Sequence, residues 1–490
     1  MWILPIYPIL NSNDLDLLIS KYNEVSGGDD SQLRQGGSDK DIELMIFYMV
    51  MALGAVNAAN TIQQIRIPSD QKALLDFSAS RPSPTSLCTR VLRLIDYNSH
   101  ILRPSIGFIQ VFSLISIYSS YGPIGSSQWQ LAGFAMRMAV EIGLHCTPES
   151  SDHSDEANDK RNRVFWTIYA IEISLAYNLG RPSSIGEDHI ASALPKPTRE
   201  NLSSLHHVRH RQIQSRIVAQ IYGINSSTRN MPVEKKQMLI SDLQRELDEW
   251  QVNIPVDSQY DVTYPYSYWN RLYHGTTFVL HRPSPLCSRP SVQSLERCTR
   301  SAGSYIDEVL KILRLSNIPL SWMLVQGVLF AGLTMLITVR TGLHQLLSHV
   351  EASFLLIDLQ SWIRNCSICL AIMNERLQEE LLSKLDSQYE LLANDTLKLV
   401  SSTMTSRART ISGGNSAFAT NIESDLEPEQ GLHIDTSYSG MSFGEEYDYF
   451  EIFREFMGQD PTQTFWNIFP NEMNIAPDID PGNTTTNLFW

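Results

Sequence analysis

The chain has 490 residues, 43% of them hydrophobic, and a formal net charge of −15, which is length enough for two or three ordinary domains or for one large helical domain with a tail. The charge is uneven: residues 421–490 hold 14 Asp or Glu against the single base Arg454, so the body before them is almost neutral. A neutral body is a poor polyanion binder, because nucleic-acid affinity rests on clustered Lys and Arg displacing counterions, and six scattered cysteines (Cys88, Cys146, Cys287, Cys298, Cys366, Cys369) exclude a disulfide framework and fit a reducing compartment.

The helical period dominates and no succession of alternating, strand-like runs appears, so the expected fold class is all-α: a large helical domain followed by a largely disordered acidic-aromatic tail. The chain opens on MWILPIYPIL, whose two prolines and lack of a basic leader do not make a secretory signal. Ser26 to Lys40, with Gly27, Gly28, Asp29, Asp30, Gly36 and Gly37, reads as a mobile loop. Apolar helices are expected over Asp41–Ala59 and Ile106–Ser119. Ser126 or Ser127 can cap the next helix, whose Trp129, Ala132, Phe134, Ala135, Met138 and Ile142 recur at helical spacing until Gly143 stops it. After an acidic loop, Asp155 or Asp159 starts a helix that ends at Leu179, where Gly180 supplies a left-handed residue and Pro182 forbids continuation. Further helices are expected near 205–222, 233–250, 263–280, 292–315, 320–346 and 351–395. From about Ser401 the pattern gives way to Ser, Thr, Gly and acids. The expected division is a body over residues 1–395, a linker over 396–440 and a tail over 441–490.

Residues 104–136 and 315–339 carry no Asp, Glu, Lys or Arg and could span a bilayer on length alone. Pro123, Pro319, Gln326 and several Gly and Ser interrupt them, and buried helices of a large core are the expectation, with no membrane partner. Cys366 and Cys369 share a helix face but have no further soft ligands nearby, so they read as core thiols. His206, His207, Arg209, His210 and Arg211 form the densest basic patch and read as a solvated helix face. Lys160-Arg161-Asn162-Arg163 reads as packing or pairing with the acids of the preceding loop. No nucleophile elbow, zinc-protease helix, phosphate-binding loop or dinucleotide turn is present, and no enzyme is expected.

The tail is rich in aromatics as well as acids: twelve lie in residues 421–490 against 33 in the first 420. In EEYDYFEIFREFMGQD, Tyr449, Phe450, Phe453, Phe456 and Met457 follow helical spacing while Glu446, Asp448, Glu451 and Glu455 keep them in water. Acids that hold hydrophobes exposed, ready to fold onto a groove, are the profile of a transcriptional activation segment that engages coactivators. Phe450, Phe453 and Phe456 are its expected anchors, with Trp466 and Phe469 as a second set.

Gln128 to Pro195 carries the most specific pattern: Gly143, Leu144 and His145; Lys160, Arg161 and Arg163; Phe165, Trp166, Tyr169 and Glu172; Gly180, Arg181 and Pro182; then Glu187, Asp188, Leu194 and Pro195. With these residues at this spacing the segment resembles the regulatory "middle homology" domain of the fungal binuclear zinc cluster (Zn2Cys6) transcription factors. Ile173 and Ala176 stand where that family usually has Arg and Ser. Ile6-Tyr7-Pro8-Ile9-Leu10, Leu280-His281-Arg282-Pro283 and the run Ser321 to Leu336 are weaker echoes, extending the resemblance over roughly residues 1–380. It implies a nuclear transcription regulator of RNA polymerase II genes, a biosynthetic gene cluster among the candidate targets. It also implies a zinc cluster for DNA recognition, but the six closely spaced cysteines are absent, so no cofactor is expected in this chain. Met1 falls almost at the domain's opening segment, so either an upstream exon is missing or DNA is reached only indirectly, through a partner. Homo- or heterodimerisation and a small-molecule effector are left open. The alternative is a helical small-molecule-binding or scaffold protein with no DNA-directed activity.

Overall fold

The computed structural model describes residues 3–22, 38–64, 82–97, 103–121, 128–148, 154–223, 230–255, 264–315, 320–377 and 380–414. Among these residues there are thirteen α-helices and no strand: α1 (Ser12–Tyr22), α2 (Ser38–Gln64), α3 (Pro84–Tyr97), α4 (Ile106–Tyr118), α5 (Gln128–Glu141), α6 (Asp155–Leu179), α7 (Leu202–Ile221), α8 (Val233–Val252), α9 (Tyr266–His281), α10 (Val292–Leu315), α11 (Trp322–His349), α12 (Leu359–Leu377) and α13 (Glu380–Gly414). A 3-10 turn at Glu187–His189 and a π turn at Phe354–Asp358 complete them.

Local chemistry starts and stops these helices. Asn11 and Asp14 form a reciprocal cap before α1: the Asn11 side chain accepts from the Asp14 N–H at 2.6 Å and the Asp14 carboxylate accepts from the Asn11 N–H at 3.3 Å. Ser83 caps α3 ahead of Pro84, a residue suited to the first helical position because its missing N–H would be unsatisfied there anyway. Ser105 caps α4, and Ser154 rather than Asp155 or Asp159 caps α6, leaving Asp155 and Glu156 in the first turn where the helix dipole favours acids.

Three cores result. The first gathers α1 to α6, the second gathers the end of α9 with α10 to α13, and the third lies among α7, α8 and α9. Tyr7 packs on the first and third, Tyr177 on the second and third, and Met323 of α11 reaches the first. The Trp322 N–H also donates to the Ser120 carbonyl at 3.3 Å. The cores therefore converge on one region, and the opening segment is pinned there. Gln110 donates to the Ile9 carbonyl at 2.7 Å, and Arg163 donates to the Pro8 carbonyl at 3.2 Å while pairing with Asp159 at 2.8 Å.

The all-α expectation holds, with differences in detail. Two short helices, α1 and α3, go beyond those expected. The single helix expected over 351–395 is broken into the π turn, α12 and α13, and α13 continues past Ser401 to Gly414. Phe134, placed on the buried stripe of α5, is 41% exposed but holds its ring edge-on against Phe112 at 4.8 Å. Most of the expected Ser26–Lys40 loop, the caps Ser126 and Ser127, and the tail anchors Phe450, Phe453, Phe456, Trp466 and Phe469 lie outside the described residues. Asp39–Ala58, Trp322–His349 and Phe354–Leu377 are each long and apolar enough to cross a membrane; the apolar window of Trp322–His349 is 78% buried by the protein's own helices.

Close helix approach in the second core depends on glycine. A Cβ on Gly303 of α10 would fall within the Trp362 ring of α12, whereas a Cβ on Gly54 of α2 meets nothing within 4 Å. Trp362 is held in place by donating to Asp307 at 3.1 Å, and Asn365 donates to the same carboxylate at 2.8 Å. Opposite effects of one substitution are expected. Gly303→Ala lowers the melting temperature through overpacking worth about 1–3 kcal/mol, and Gly54→Ala raises it through a gain of about 0.5–1 kcal/mol in helix propensity. Thermal melts followed by circular dichroism read both signs; equal shifts would contradict this packing.

Candidate functional site

The most specific sequence pattern folds into a joint between α5, α6 and the segment that follows. Gly143 adopts a positive φ of 69° after α5, which turns the chain so that the Leu144 N–H returns to the Ala139 carbonyl at 2.9 Å. Arg161 donates to the Gly143 carbonyl at 3.1 Å, and the His145 carbonyl accepts the N–H groups of Ala191 and Ser192 at 2.8 and 2.9 Å. Phe165, Trp166 and Tyr169 form one aromatic cluster, with the Trp166 ring edge-on to both neighbours at 5.4 and 5.0 Å. Its indole N–H donates to the Ala193 carbonyl at 2.9 Å and the Tyr169 hydroxyl bonds Glu187.

Glu172 is wholly buried in the middle of α6, and burial holds its carboxyl above the usual range. It is satisfied by the Ser184 N–H at 2.7 Å, the Ser184 hydroxyl at 2.9 Å and the Ser183 hydroxyl at 3.1 Å. That clamp requires the chain to reverse directly after α6. Gly180 does so at φ 62°, ψ 33°, the Arg181 N–H closes the helix on the Ala176 carbonyl at 2.9 Å, and Pro182 follows. Arg181 then lies over the Trp129 ring of α5 at 4.5 Å, the distance of a cation–π contact. The arrangement locks a fold.

The basic patch on α7 is a correction. His206, His207, His210 and Arg211 are buried, and only Arg209 faces solvent. His206 stacks on Trp250 of α8 at 4.5 Å and meets Trp269 of α9 edge-on at 5.1 Å, while His210 bonds the Thr276 hydroxyl at 2.9 Å. A guanidinium only donates, so the 3.0 Å contact from Arg211 makes the His207 Nε2 an acceptor and its ring neutral. Burial lowers His206 to about 4 and His207 and His210 well below their ordinary value. Unprotonated imidazole behaves as a small aromatic, which is why helices of the third core close over a segment that reads as charged.

Where the three cores meet there is a cavity of about 220 Å³. Its polar wall comes from Tyr7 in the opening segment, Arg211 and Gln214 on α7, Tyr268 and Arg271 on α9, Arg282 after α9 and Tyr305 on α10; Leu175, Leu324 and Phe330 are among its apolar residues. Tyr305 lies between Gly275 and Gly327: a Cβ on Gly275 would sit 3.2 Å from its ring and one on Gly327 would coincide with its hydroxyl. Arg282 donates to the Tyr222 hydroxyl at 2.7 Å and covers Phe330 at 4.6 Å. Tyr7 and Arg282 belong to two of the weaker echoes noted in the sequence, but nothing in those motifs alone marks them as neighbours.

The cysteines do not fit the zinc cluster that the resemblance implies. Cys88, Cys298, Cys366 and Cys369 are buried on different helices or aimed at different carbonyls, Cys366 at Val328 and Cys369 at Ile306, while Cys146 is exposed and Cys287 half-buried. Burial pushes Cys298 and Cys369 up to about 12, so they stay thiols.

Two outcomes follow from this geometry. Trp166→Ala removes the centre of the aromatic cluster and is expected to cost about 3–5 kcal/mol, read as aggregated or degraded protein; a soluble variant with the parent melting temperature would contradict it. The buried imidazoles also make stability fall with acid. His206, His274 and His281 are held neutral to about 4 by burial, whereas in the unfolded chain they titrate near 6.5, so the unfolded state gains protons first as the pH drops. Their contribution is complete above pH 6.5 and is lost towards pH 4, about 2 kcal/mol per histidine by pH 5. The raised Glu172 and Asp386 work in the opposite direction but are two groups against several. Urea denaturation at pH 7.5 and 5 is expected to show a large loss of stability; a flat profile would refute the neutral imidazoles.

A family model, the fungal specific transcription factor domain, matches residues 1–252, just over half of the chain. The "Negative regulator of pleiotropic drug resistance STB5" of Candida glabrata is 28% identical over 211 residues, covering 41% of this chain and 20% of that protein. "Protein STB5" of Saccharomyces cerevisiae is 26% identical over 303 residues, 56% of this chain and 39% of that protein. "Pyrimidine pathway regulatory protein 1" of the same yeast is 24% identical over 250 residues, 46% of this chain and 27% of that protein. The chain thus spans between a fifth and two fifths of these relatives. The matched residues contain the whole α5–α6 joint and the α7 wall of the cavity, and the chain belongs to the fungal-specific transcription factor domain family.

Proposed function

We propose that this chain is a transcription regulator acting in the nucleus, with a helical regulatory body that α13 carries past the expected boundary at 395 to Gly414, a linker from there to about 440 and an activation tail over 441–490. The observation that carries the reading is the family match over residues 1–252, whose motif residues are those that build the α5–α6 joint. DNA is reached through a zinc module outside this sequence or through a partner protein, since four of the six cysteines are buried in the cores and the other two, Cys146 and Cys287, are too few for the cluster. The tail engages coactivators through Phe450, Phe453 and Phe456, with Trp466 and Phe469 as a second anchor, and the acids around them keep the aromatics soluble. The cavity supports a further element of the same reading: it is the place in the body where a small-molecule effector would bind.

The tail decides the activation part. Residues 421–490 fused to an unrelated DNA-binding domain are expected to activate a reporter gene. Replacing Phe450, Phe453 and Phe456 by Ala removes the apolar face, leaves every charge and should abolish most of the signal. Neutralising Glu446, Asp448 and Glu451 should weaken it less, because the acids chiefly maintain exposure and steer encounter. A triple Ala variant as active as the parent would end the activation reading.

A further inference from the structure

Arginine inside a protein is ordinarily paired, because an isolated buried charge is strongly penalised. Two arginines that line the cavity, Arg211 and Arg271, depart from that rule. Three arginines line it, Arg211, Arg271 and Arg282, and no Asp or Glu does so among the described residues. Arg211 is 94% buried: one of its terminal nitrogens donates to Gln214 and the other to His207, both uncharged, and its Nε–H has no acceptor. The Arg271 Nε–H is likewise buried without an acceptor. Its guanidinium lies beside two rings instead, 5.2 Å from the centre of Tyr268 and 6.0 Å from that of Tyr305, which orients the charge but does not neutralise it. The tyrosines cannot supply the missing anion. Burial raises Tyr268 to about 12 and Tyr121 and Tyr177 further, so all three remain phenols and donors.

We propose that the cavity is a binding site for a small organic carboxylate, whose carboxylate is held by the guanidinium groups of Arg211 and Arg271 and whose apolar body packs against Leu175, Leu324 and Phe330. A guanidinium and the two oxygens of a carboxylate match in geometry, and the bond is charge-assisted. The volume, about 220 Å³, is below the range of about 300–1,000 Å³ for drug-sized ligands, so the occupant is a single small acid and not a nucleotide. A half-apolar wall favours an acid with a hydrocarbon or aromatic body over inorganic phosphate. The proposal rests on the reading of the cavity as the body's effector site, but binding is measured on the chain itself and needs no reporter, so its failure leaves the activation test untouched.

The experiment uses the full 490-residue chain and 4-fluorobenzoate, followed by fluorine NMR at fixed ionic strength. Expected are line broadening that unlabelled benzoate reverses, little or no broadening of the neutral isostere 4-fluorobenzamide, and at least tenfold weaker binding of the acid to Arg271→Met. Among the described residues Arg271 donates no hydrogen bond, so this variant is expected to fold, and a parent-like melting temperature checks that. The acid-against-amide comparison on the parent chain decides the matter even if the variant does not fold. Equal binding of acid and amide, no binding of the acid, undiminished binding to a folded Arg271→Met, or displacement by inorganic phosphate at lower concentration than benzoate would each overturn the proposal.

Discussion

Helix α6 is enclosed by protein on all sides from Arg163 to Ala176, and most of the architecture follows from what that enclosure demands. A helix without a wet face has nowhere to put a polar group except against a partner. Glu172 therefore dictates the path of the chain after Gly180, and Arg163 dictates the position of the opening segment. The α5–α6 joint, the aromatic cluster around Trp166 and the Tyr7 wall of the cavity all derive their positions from this one element. Its burial explains why a regulatory domain shows a tight residue pattern without any chemical centre: the pattern records the satisfaction of a buried helix.

The same accounting comes out differently on α7. There the buried polar groups are imidazoles, which escape the cost of burial by staying neutral, and one guanidinium, which has no such escape. Neutral histidines stack on Trp250 and Trp269 and become core. Arg211 remains charged against uncharged neighbours, and Arg271 adds a second charge across the cavity. Low dielectric and like charge act together here, so the space between them is electrostatically incomplete.

Legibility in the sequence tracked locality. The α6 stop is readable because Gly180, Arg181 and Pro182 act within one turn, and the buried helix over 322–349 is readable because its stretch before Arg340 carries no charge to contradict it. The starts of α1 and α3 are marked locally by Asn11 with Asp14 and by Ser83 with Pro84, but both helices are short. The α7 patch reads as charged by residue type alone, whereas Trp250, Trp269 and Thr276, which enclose the imidazoles and keep them neutral, lie tens of residues further on. The cavity had no local signature at all. Its wall joins Tyr7, Arg211, Arg271 and Tyr305, residues from four separate elements, and only the convergence of three cores makes them neighbours.

Tyr305 has a further consequence. Its ring is fitted into the cavity wall between α9 and α11, and it can stand there only because Gly275 and Gly327 beside it carry no side chain. The size of the chamber thus depends on two wall positions that contribute only backbone. A methyl group gained at either one would displace the ring while the charged residues stayed the same. Descendants of such a protein could change what the chamber admits by trading small for large side chains at these two positions, keeping the charged floor intact.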